Sequence, residues 1–264
     1  ERLLNIDDFY FNFKVSDIVT ENGAKYAIRY YDGASRAANL TNTCNWKDLP
    51  NDTIVTAGTG FIFQTSREDY TIFTATNDAD KQKVMSNEEF AKVLQANYAE
   101  TSAHKGWNLV GNPYLAYFNI HKLNFTAPIT ATIDNYGYYT RWDYYNGTSY
   151  KAYSLVDDDY AIKPLEAFFV QCPDEVNTIS FPIAGRQLTS EITEQNAAPA
   201  LRAQGLNRKL IDLELVNGDM TDQTRVVFNE KASVAYESAC DASKFMSENK
   251  LIPQLYTIGN DNTQ

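Results

Sequence analysis

Apolar and polar residues alternate with a period of two near the start of the chain. Tyr26, Ile28 and Tyr30 are separated by Ala27 and Arg29. This period is typical of a strand with one buried face. The same pattern returns about a hundred residues later, at Tyr136, Tyr138, Thr140, Trp142 and Tyr144. Both stretches are therefore predicted to be strands.

Each of these strands runs into a turn signal, YYDGAS at 30–35 and YYNGTS at 144–149. Asp-Gly and Asn-Gly favour tight hairpin turns, because glycine tolerates the positive φ that such turns require. We therefore expect equivalent hairpins in which Gly33 and Gly147 hold a positive φ. Valine at either position is expected to destabilise the fold.

The similarity continues downstream of the two turns. VTAGTGFIFQ at 55–64 aligns with IKPLEAFFVQ at 162–171, and the Thr-Ile pair at 71–72 recurs at 178–179 with the same offset. The predicted fold is mainly all-β, a β-sandwich of two related halves (about 1–104 and 105–189) with one or two short helices. An insertion around CNWKDLPND explains the longer spacing in the first half.

Two helices are predicted outside the repeated strands. Ser86 and Glu89 form a capping box before FAKVLQANYA, in which Phe90, Val93 and Leu94 share a helical face. SACDASKFMS at 238–247 is predicted to be a second, short helix.

The composition changes after residue 189. Residues 190–207 are polar and rich in alanine, which predicts a linker or crossing segment. Residues 208–264 are predicted to be a β-rich C-terminal segment, with strands KLIDLELV and TRVVFNE around the turn NGDMTDQ. The last segment, QLYTIGNDNTQ, is predicted to be a strand followed by turn residues, with no partner strand after it, so we expect further domains of the same polypeptide.

Charge and cysteine content exclude several classes of function. The 264 residues are 44% hydrophobic, enough for a substantial core, and the net charge is -11. This acidity argues against binding to nucleic acid or to anionic membranes. No apolar run reaches the roughly 18 residues of a membrane-spanning segment. Cys44, Cys172 and Cys240 show neither a disulfide framework nor zinc-site spacing, although one disulfide remains open.

The segment GWNLVGNPY at 106–114 is interpreted as structural. Trp107 is expected to pack in the core as part of a strand. Gly111 and Asn112 are expected to permit an unusual backbone at the end of that strand, and Pro113 disfavours helix before it.

This segment resembles one found in large exported and surface proteins of Bacteroidetes-type bacteria. The resemblance extends through KPLEAFFVQ, DQTRVVFNEKA, CDASKFMS and IPQLYT in the same order, over roughly residues 105–258. It implies a β-sandwich region of an exported, cell-surface or extracellular protein. It implies nothing specific about activity.

Exposed tyrosines are the main candidates for ligand contact. Planar rings can stack on sugars, and the chain has 18 tyrosines. The row that begins at Tyr136 is attributed to core packing, since Tyr26 and Tyr30 repeat it. The better candidates lie on the opposite face or in loops: Tyr31, Tyr139, Tyr145, Tyr150 and Tyr153.

Metal and catalytic motifs give little signal. The run Asp157, Asp158 and Asp159 could offer oxygen ligands to calcium but lacks the EF-hand spacing, so a solvated loop is favoured. The two histidines, His104 and His121, lie in no recognisable triad or zinc motif. No cofactor is predicted. A pair of carboxylates facing one cleft, as in glycosidases, remains open.

These observations predict a non-catalytic structural or ligand-presenting module of an exported cell-surface protein, with a glycan or a surface protein as its possible partner. The first alternative is a carbohydrate-binding module that uses exposed tyrosines. The others are an adhesin-type protein-binding domain and an unrecognised glycan hydrolase. Protein adhesion is distinguished by an exposed apolar patch or a free strand edge.

Overall fold

A computed structural model describes residues 12–20, 23–38, 45–65, 71–72, 89–95, 105–125, 138–139, 152–153, 160–164, 166–172, 177–191, 209–218, 220–228, 234–235, 241, 244 and 253–259. In these residues the chain is mainly β-structure, arranged as several antiparallel sheets that pack together. The predicted all-β fold class is confirmed.

The first part of the chain forms short strands and one helix. They are β1 (Phe13–Lys14), β2 (Val19–Thr20), β3 (Tyr26–Tyr31), α1 (Gly33–Ala38), β4 (Trp46–Asp48), β5 (Ile54–Val55), β6 (Ile62–Thr65), β7 (Thr71–Ile72) and β8 (Phe90–Leu94). A 3-10 turn, Val15–Asp17, follows β1.

Beyond β8, the elements that the structure describes are strands and 3-10 turns. The strands are β9 (Trp107–Gly111), β10 (Tyr117–Asn119), β11 (Asn124–Phe125), β12 (Tyr138–Tyr139), β13 (Ala152–Tyr153), β14 (Ala161–Ile162), β15 (Ala167–Gln171), β16 (Asn177–Phe181), β17 (Arg186–Gln187), β18 (Lys209–Asn217) and β19 (Met220–Phe228). The 3-10 turns are Ile120–Lys122 and Ile183–Gly185.

The strand pairing repeats along the chain. β3 lies between β4 and β6, and β12 lies between β13 and β15. β1 pairs with β5 as β10 pairs with β14, and β2 pairs with β7 as β11 pairs with β16. The repeat read from the sequence thus has a counterpart in the connectivity of the sheets. The proposed boundaries at 104, 189 and 207 stay predictions.

The repeat begins earlier than the sequence comparison suggested. Phe13 pairs with Val55 in the first copy, and Phe118 pairs with Ile162 in the second. A 3-10 turn with a buried first residue follows each phenylalanine. Each of these four paired side chains is buried, and burial of such a side chain contributes about 1.5–3 kcal/mol.

In the part of the chain that the structure describes, three further strands lie at the sheet edges of the second copy. β9 pairs with β15, β8 pairs with β16, and β17 pairs with β10. The largest core cluster lies here and includes Val110, Phe118, Ile162, Phe168 and Phe181, all fully buried. Because β8 precedes residue 104 but completes the sheet of β16, the chain on both sides of the predicted boundary forms one sheet.

The expected hairpin at Asp32-Gly33 is wrong, because a helix begins there. Gly33 is the first residue of α1 and has no positive φ. Asp32 caps this helix, since its carboxylate accepts hydrogen bonds from the Ser35 amide at 3.0 Å and from the Ser35 hydroxyl at 2.7 Å. Burial raises the pKa of the Asp32 carboxyl, but these bonds and nearby Lys47 outweigh burial and leave the pKa below its ordinary value. The matching Gly147 lies outside the described residues.

The predicted helix over FAKVLQANYA is also wrong in its described part. Phe90–Leu94 is strand β8, paired residue by residue with β16. Phe90, Lys92 and Leu94 share the inward row, whereas Val93 is exposed. The free edge of β16 offers a full ladder of backbone hydrogen bonds, and this outweighs local helix preference.

The C-terminal segment contains the longest strands that the structure describes. β18 and β19 pair along all nine of their residues, from Lys209 with Phe228 to Asn217 with Met220. The predicted turn was therefore too long: MTDQ belongs to β19, and the loop has two positions, of which Gly218 has a φ of 64°. Residues 192–207 and nearly all of 238–247 lie outside the described residues.

Candidate functional site

Tyr31, a predicted ligand residue, packs in an aromatic cluster. Its ring lies edge-on to Phe169 at 4.7 Å between centroids and to Trp46 at 5.3 Å. Trp107 contacts the same Phe169 at 6.4 Å, and Leu109 packs alongside. This cluster joins β3 and β4 to β9 and β15. The structure therefore gives Tyr31, which is partly buried, a packing role between the two copies.

Of the remaining predicted ligand residues, the structure describes Tyr139 on β12 and Tyr153 on the adjacent strand β13. Tyr139 pairs with Phe169, and Tyr153 pairs with Tyr138, in backbone register. Two further predicted tyrosines and the three-aspartate run lie outside the described residues: Tyr145, Tyr150, Asp157, Asp158 and Asp159. Within the described ranges, no group of three His, Cys, Asp or Glu side chains lies close enough to hold a metal ion.

Asn112 fixes the end of the GWNLVGNPY strand through its side chain. Its amide Nδ2 donates to the carbonyl oxygens of Ala116 and Lys163, each at 2.9 Å, and its Oδ1 accepts from the Tyr114 amide at 3.1 Å. Asn112 and Pro113 are buried. A buried amide group with these partners holds the loop after β9 against the loop after β14.

The left-handed glycine of this segment is Gly106, which the sequence reasoning missed. Gly106 has a φ of 80°, and a Cβ there would lie 1.8 Å from the Cys172 carbonyl oxygen. Gly111, by contrast, lies within β9 without a positive φ, so the expected unusual backbone at Gly111 is wrong. A Cβ on Gly111 would lie 3.4 Å from the Thr59 carbonyl oxygen, which is an ordinary van der Waals contact, so neither the backbone nor the space around it requires glycine there.

Thr59 lies in a loop of residues 56–60, which we call the bridging loop. The Gly111 amide donates to the Gly58 carbonyl at 2.9 Å, and the Gly60 amide donates to the Leu109 carbonyl at 3.1 Å. Lys92 lies beside the loop, with Nζ 2.8 Å from the Thr59 hydroxyl. Burial lowers the pKa of the Lys92 ammonium. These contacts connect the two copies and serve packing.

The β18–β19 hairpin presents the most exposed apolar surface among the described residues. Every residue of β18 is exposed. One face of the hairpin carries Ile211 (45% exposed), Leu213 (43%), Leu215 (38%), Val226 and Phe228 (52%). We call these five residues the apolar face. Such contiguous exposed apolar side chains are typical of a surface that binds a partner.

The outer edge of β18 lacks a strand partner in the part of the chain that the structure describes. β18 pairs with β19 alone. Asn217 and Met220 close a two-position loop and therefore form a hydrogen-bonded pair. Pair types alternate in antiparallel ladders, so the outward backbone groups belong to every second residue: Leu210, Asp212, Glu214 and Val216.

The same face of the hairpin is fixed to the rest of the protein at its loop end, where Asp222 lies directly opposite Leu215. Asp222 is buried on β19, where its carboxylate binds the Lys244 ammonium and the Leu255 amide, each at 2.5 Å. Arg36 of α1 donates from Nη2 to the Lys244 carbonyl at 3.4 Å. The sequence analysis placed Asp222 in the turn NGDMTDQ, and that was wrong because the residue belongs to β19 and has a buried cation beside it.

Within the described residues, no helix combines the length and the apolar character needed to cross a membrane. The three-dimensional placement of Trp46, Lys92 and Lys244 gave no signal in the sequence, because each depends on a contact distant along the chain.

Comparison with protein-family models, curated proteins and solved structures found no match to this chain.

Proposed function

We propose that this chain is a non-catalytic protein-binding module of an exported cell-surface protein. The observation that carries the proposal is the apolar face of the β18–β19 hairpin. Five large apolar side chains are lined up there on paired strands, and the exposed ones have 38–52% of their surface in contact with solvent.

The cost of leaving such a surface in water favours a partner. Burial of apolar surface contributes roughly 25 cal/mol per Å², and interface cores are rich in large apolar residues. The buried ion pair of Asp222 and Lys244 holds the hairpin in place before any partner binds. A preformed surface loses little conformational entropy on association.

Photo-crosslinking in intact cells that make the full-length protein tests this function. A photo-reactive amino acid replaces Leu213 on the apolar face or, as the matched control, Val93 on β8, which is 53% exposed. We expect an adduct with a second protein from position 213 only, and we expect protease added outside the cells to remove it. Absence of an adduct at 213, or equal adducts at both positions, contradicts the proposed function.

A further inference from the structure

We infer that the free edge of β18 binds an extended strand of another protein in which apolar residues alternate with basic ones. This inference rests on the proposed protein-binding function and names the partner class and the mode of binding. It concerns the backbone edge of the hairpin, whereas the proposed function concerns its apolar face.

The backbone of β18 is suited to accept a strand. The backbone groups of alternate residues bond to β19, and those of the residues between them, Leu210, Asp212, Glu214 and Val216, face away from that ladder. Folded proteins usually protect a long edge with short strands, charged side chains, proline, bulges or covering loops, and the charges in the middle of β18, Asp212 and Glu214, oppose only acidic strands. β18 contains no proline and is regularly paired without a bulge. It is therefore an open template for strand addition.

The side chains of β18 specify which strand fits. Ile211, Leu213 and Leu215 point to the apolar face, and Asp212 and Glu214 point to the opposite face. Arg225 binds the Asp212 carboxylate at 2.6 Å, whereas Glu214 lies opposite uncharged Gln223 with no ion pair to another described residue. Directly opposed strand residues interact, so apolar residues on the partner match one face and lysine or arginine matches the other.

A second copy of this chain fits the same edge poorly. Antiparallel pairing of two β18 strands about Leu213 places Asp212 of each copy opposite Glu214 of the other. Like charges directly opposite each other destabilise a strand pair. The net charge of -11 on each chain adds to this repulsion. Charge complementarity therefore favours a partner strand that carries basic residues.

Val216 provides a substitution that changes only the edge. Its backbone N–H faces outward, so Val216→Pro removes a donor for the incoming strand and leaves the bonds between β18 and β19 in place. Val216→Thr is the matched control, since threonine keeps the N–H and the preference for strand. Neither change alters a charge or a residue of the apolar face.

The probe is a capped synthetic peptide of the same length as β18, in which valine and lysine alternate. A peptide of the same composition in scrambled order controls for net charge, and a valine–glutamate peptide controls for its sign. Titration calorimetry is expected to show binding of the alternating lysine peptide alone. We expect Val216→Pro to weaken that binding at least about tenfold and Val216→Thr to leave it unchanged. Glu214→Lys is expected to shift the preference towards the glutamate peptide.

Three outcomes would overturn the inference. One is equal binding of the ordered and scrambled lysine peptides, and a second is binding that survives Val216→Pro. The third is self-association of the chain that Val216→Pro abolishes, seen by sedimentation, because it would make a second copy the occupant. In each case an adduct at position 213 in the crosslinking experiment would still support the proposed function, so the two failures can be told apart.

Discussion

Alanine at Gly106 and at Gly23 separates the cost of a left-handed backbone from the cost of a steric overlap. Both glycines have a positive φ, 80° at Gly106 and 64° at Gly23. An alanine in this conformation costs roughly 1–2 kcal/mol at either position. No atom lies within 4 Å of a Cβ added at Gly23, so the left-handed backbone is the entire cost of Gly23→Ala.

Gly106→Ala carries a further cost. Its Cβ would lie 1.8 Å from the Cys172 carbonyl oxygen and 2.7 Å from the carbonyl carbon, and both are backbone atoms. β9 and β15 must therefore separate at this end, which breaks the bond from the Cys172 amide to the Gly106 carbonyl at 2.7 Å. The lost bond contributes about 1 kcal/mol, and the opening also loosens the packing of buried Trp107.

We expect Gly106→Ala to lower the free energy of unfolding by about 3–5 kcal/mol, against about 1–2 kcal/mol for Gly23→Ala. Equilibrium urea unfolding, followed by tryptophan fluorescence, measures both values, and unchanged m-values show that they are comparable. Equal losses at the two positions would refute the reasoning, because they would mean that Cys172 does not restrict position 106.

Further predictions follow from single contacts. Tyr114→Phe removes the hydroxyl that joins β8 to β16 and should cost about 1–3 kcal/mol in urea unfolding, whereas Tyr117→Phe, which loses no such bond, should cost little. Lys244→Met leaves a buried carboxylate on β19 without its cation, and hydrogen exchange should show the hairpin opening more easily by about 3–5 kcal/mol. Asp32→Ala should destabilise the chain by about 1 kcal/mol at neutral pH. Because the pKa of Asp32 is lowered in the folded state, this difference should be present above the unfolded-state pKa and vanish as the pH falls through the lowered value in acid titrations. If exposed tyrosines bind sugars, Tyr145→Ala should abolish retention on a glycan panel without changing stability, and an unchanged profile would count against that alternative.

The strands that the sequence predicted best are those whose pattern depends on one buried face. Tyr26 to Tyr31 alternate because one row meets the core at Ile28. The internal repeat was also visible, since the same strand pairing requires similar residues at the same spacing. Such periodic signals are local in the chain and can be recognised in the sequence without knowledge of the packing.

The errors arose where two structures satisfy one local pattern. Asp-Gly fits a hairpin turn, but Asp32 also caps a helix when Ser35 is three residues on. In β8 the inward row contains Lys92, which breaks the alternation and leaves the spacing of Phe90 and Leu94 equally suited to a helix. A hydroxyl on the bridging loop accepts a hydrogen bond from that lysine, and this partner lies more than thirty residues away.

The candidate surface was only partly predictable. The alternation in KLIDLELV indicated a strand with one apolar row, but burial of that row is the ordinary outcome for such a pattern. Exposure depends on which other strands cover it, and that is decided by the whole fold. The anchoring of Asp222 by Lys244 likewise depends on a contact between residues 22 positions apart.

The pairing of β8 with β16 affects how the chain folds as it is synthesised. Leu94 leaves the ribosome more than eighty residues before Asn177, its partner at the end of the ladder. Until β16 emerges, Phe90 and Leu94 have no sheet in which to be buried. Contacts between such distant segments form slowly. Release of the nascent chain before β16 is made would therefore leave β8 as an exposed aggregation-prone segment, so this part of the fold is completed late and as a unit.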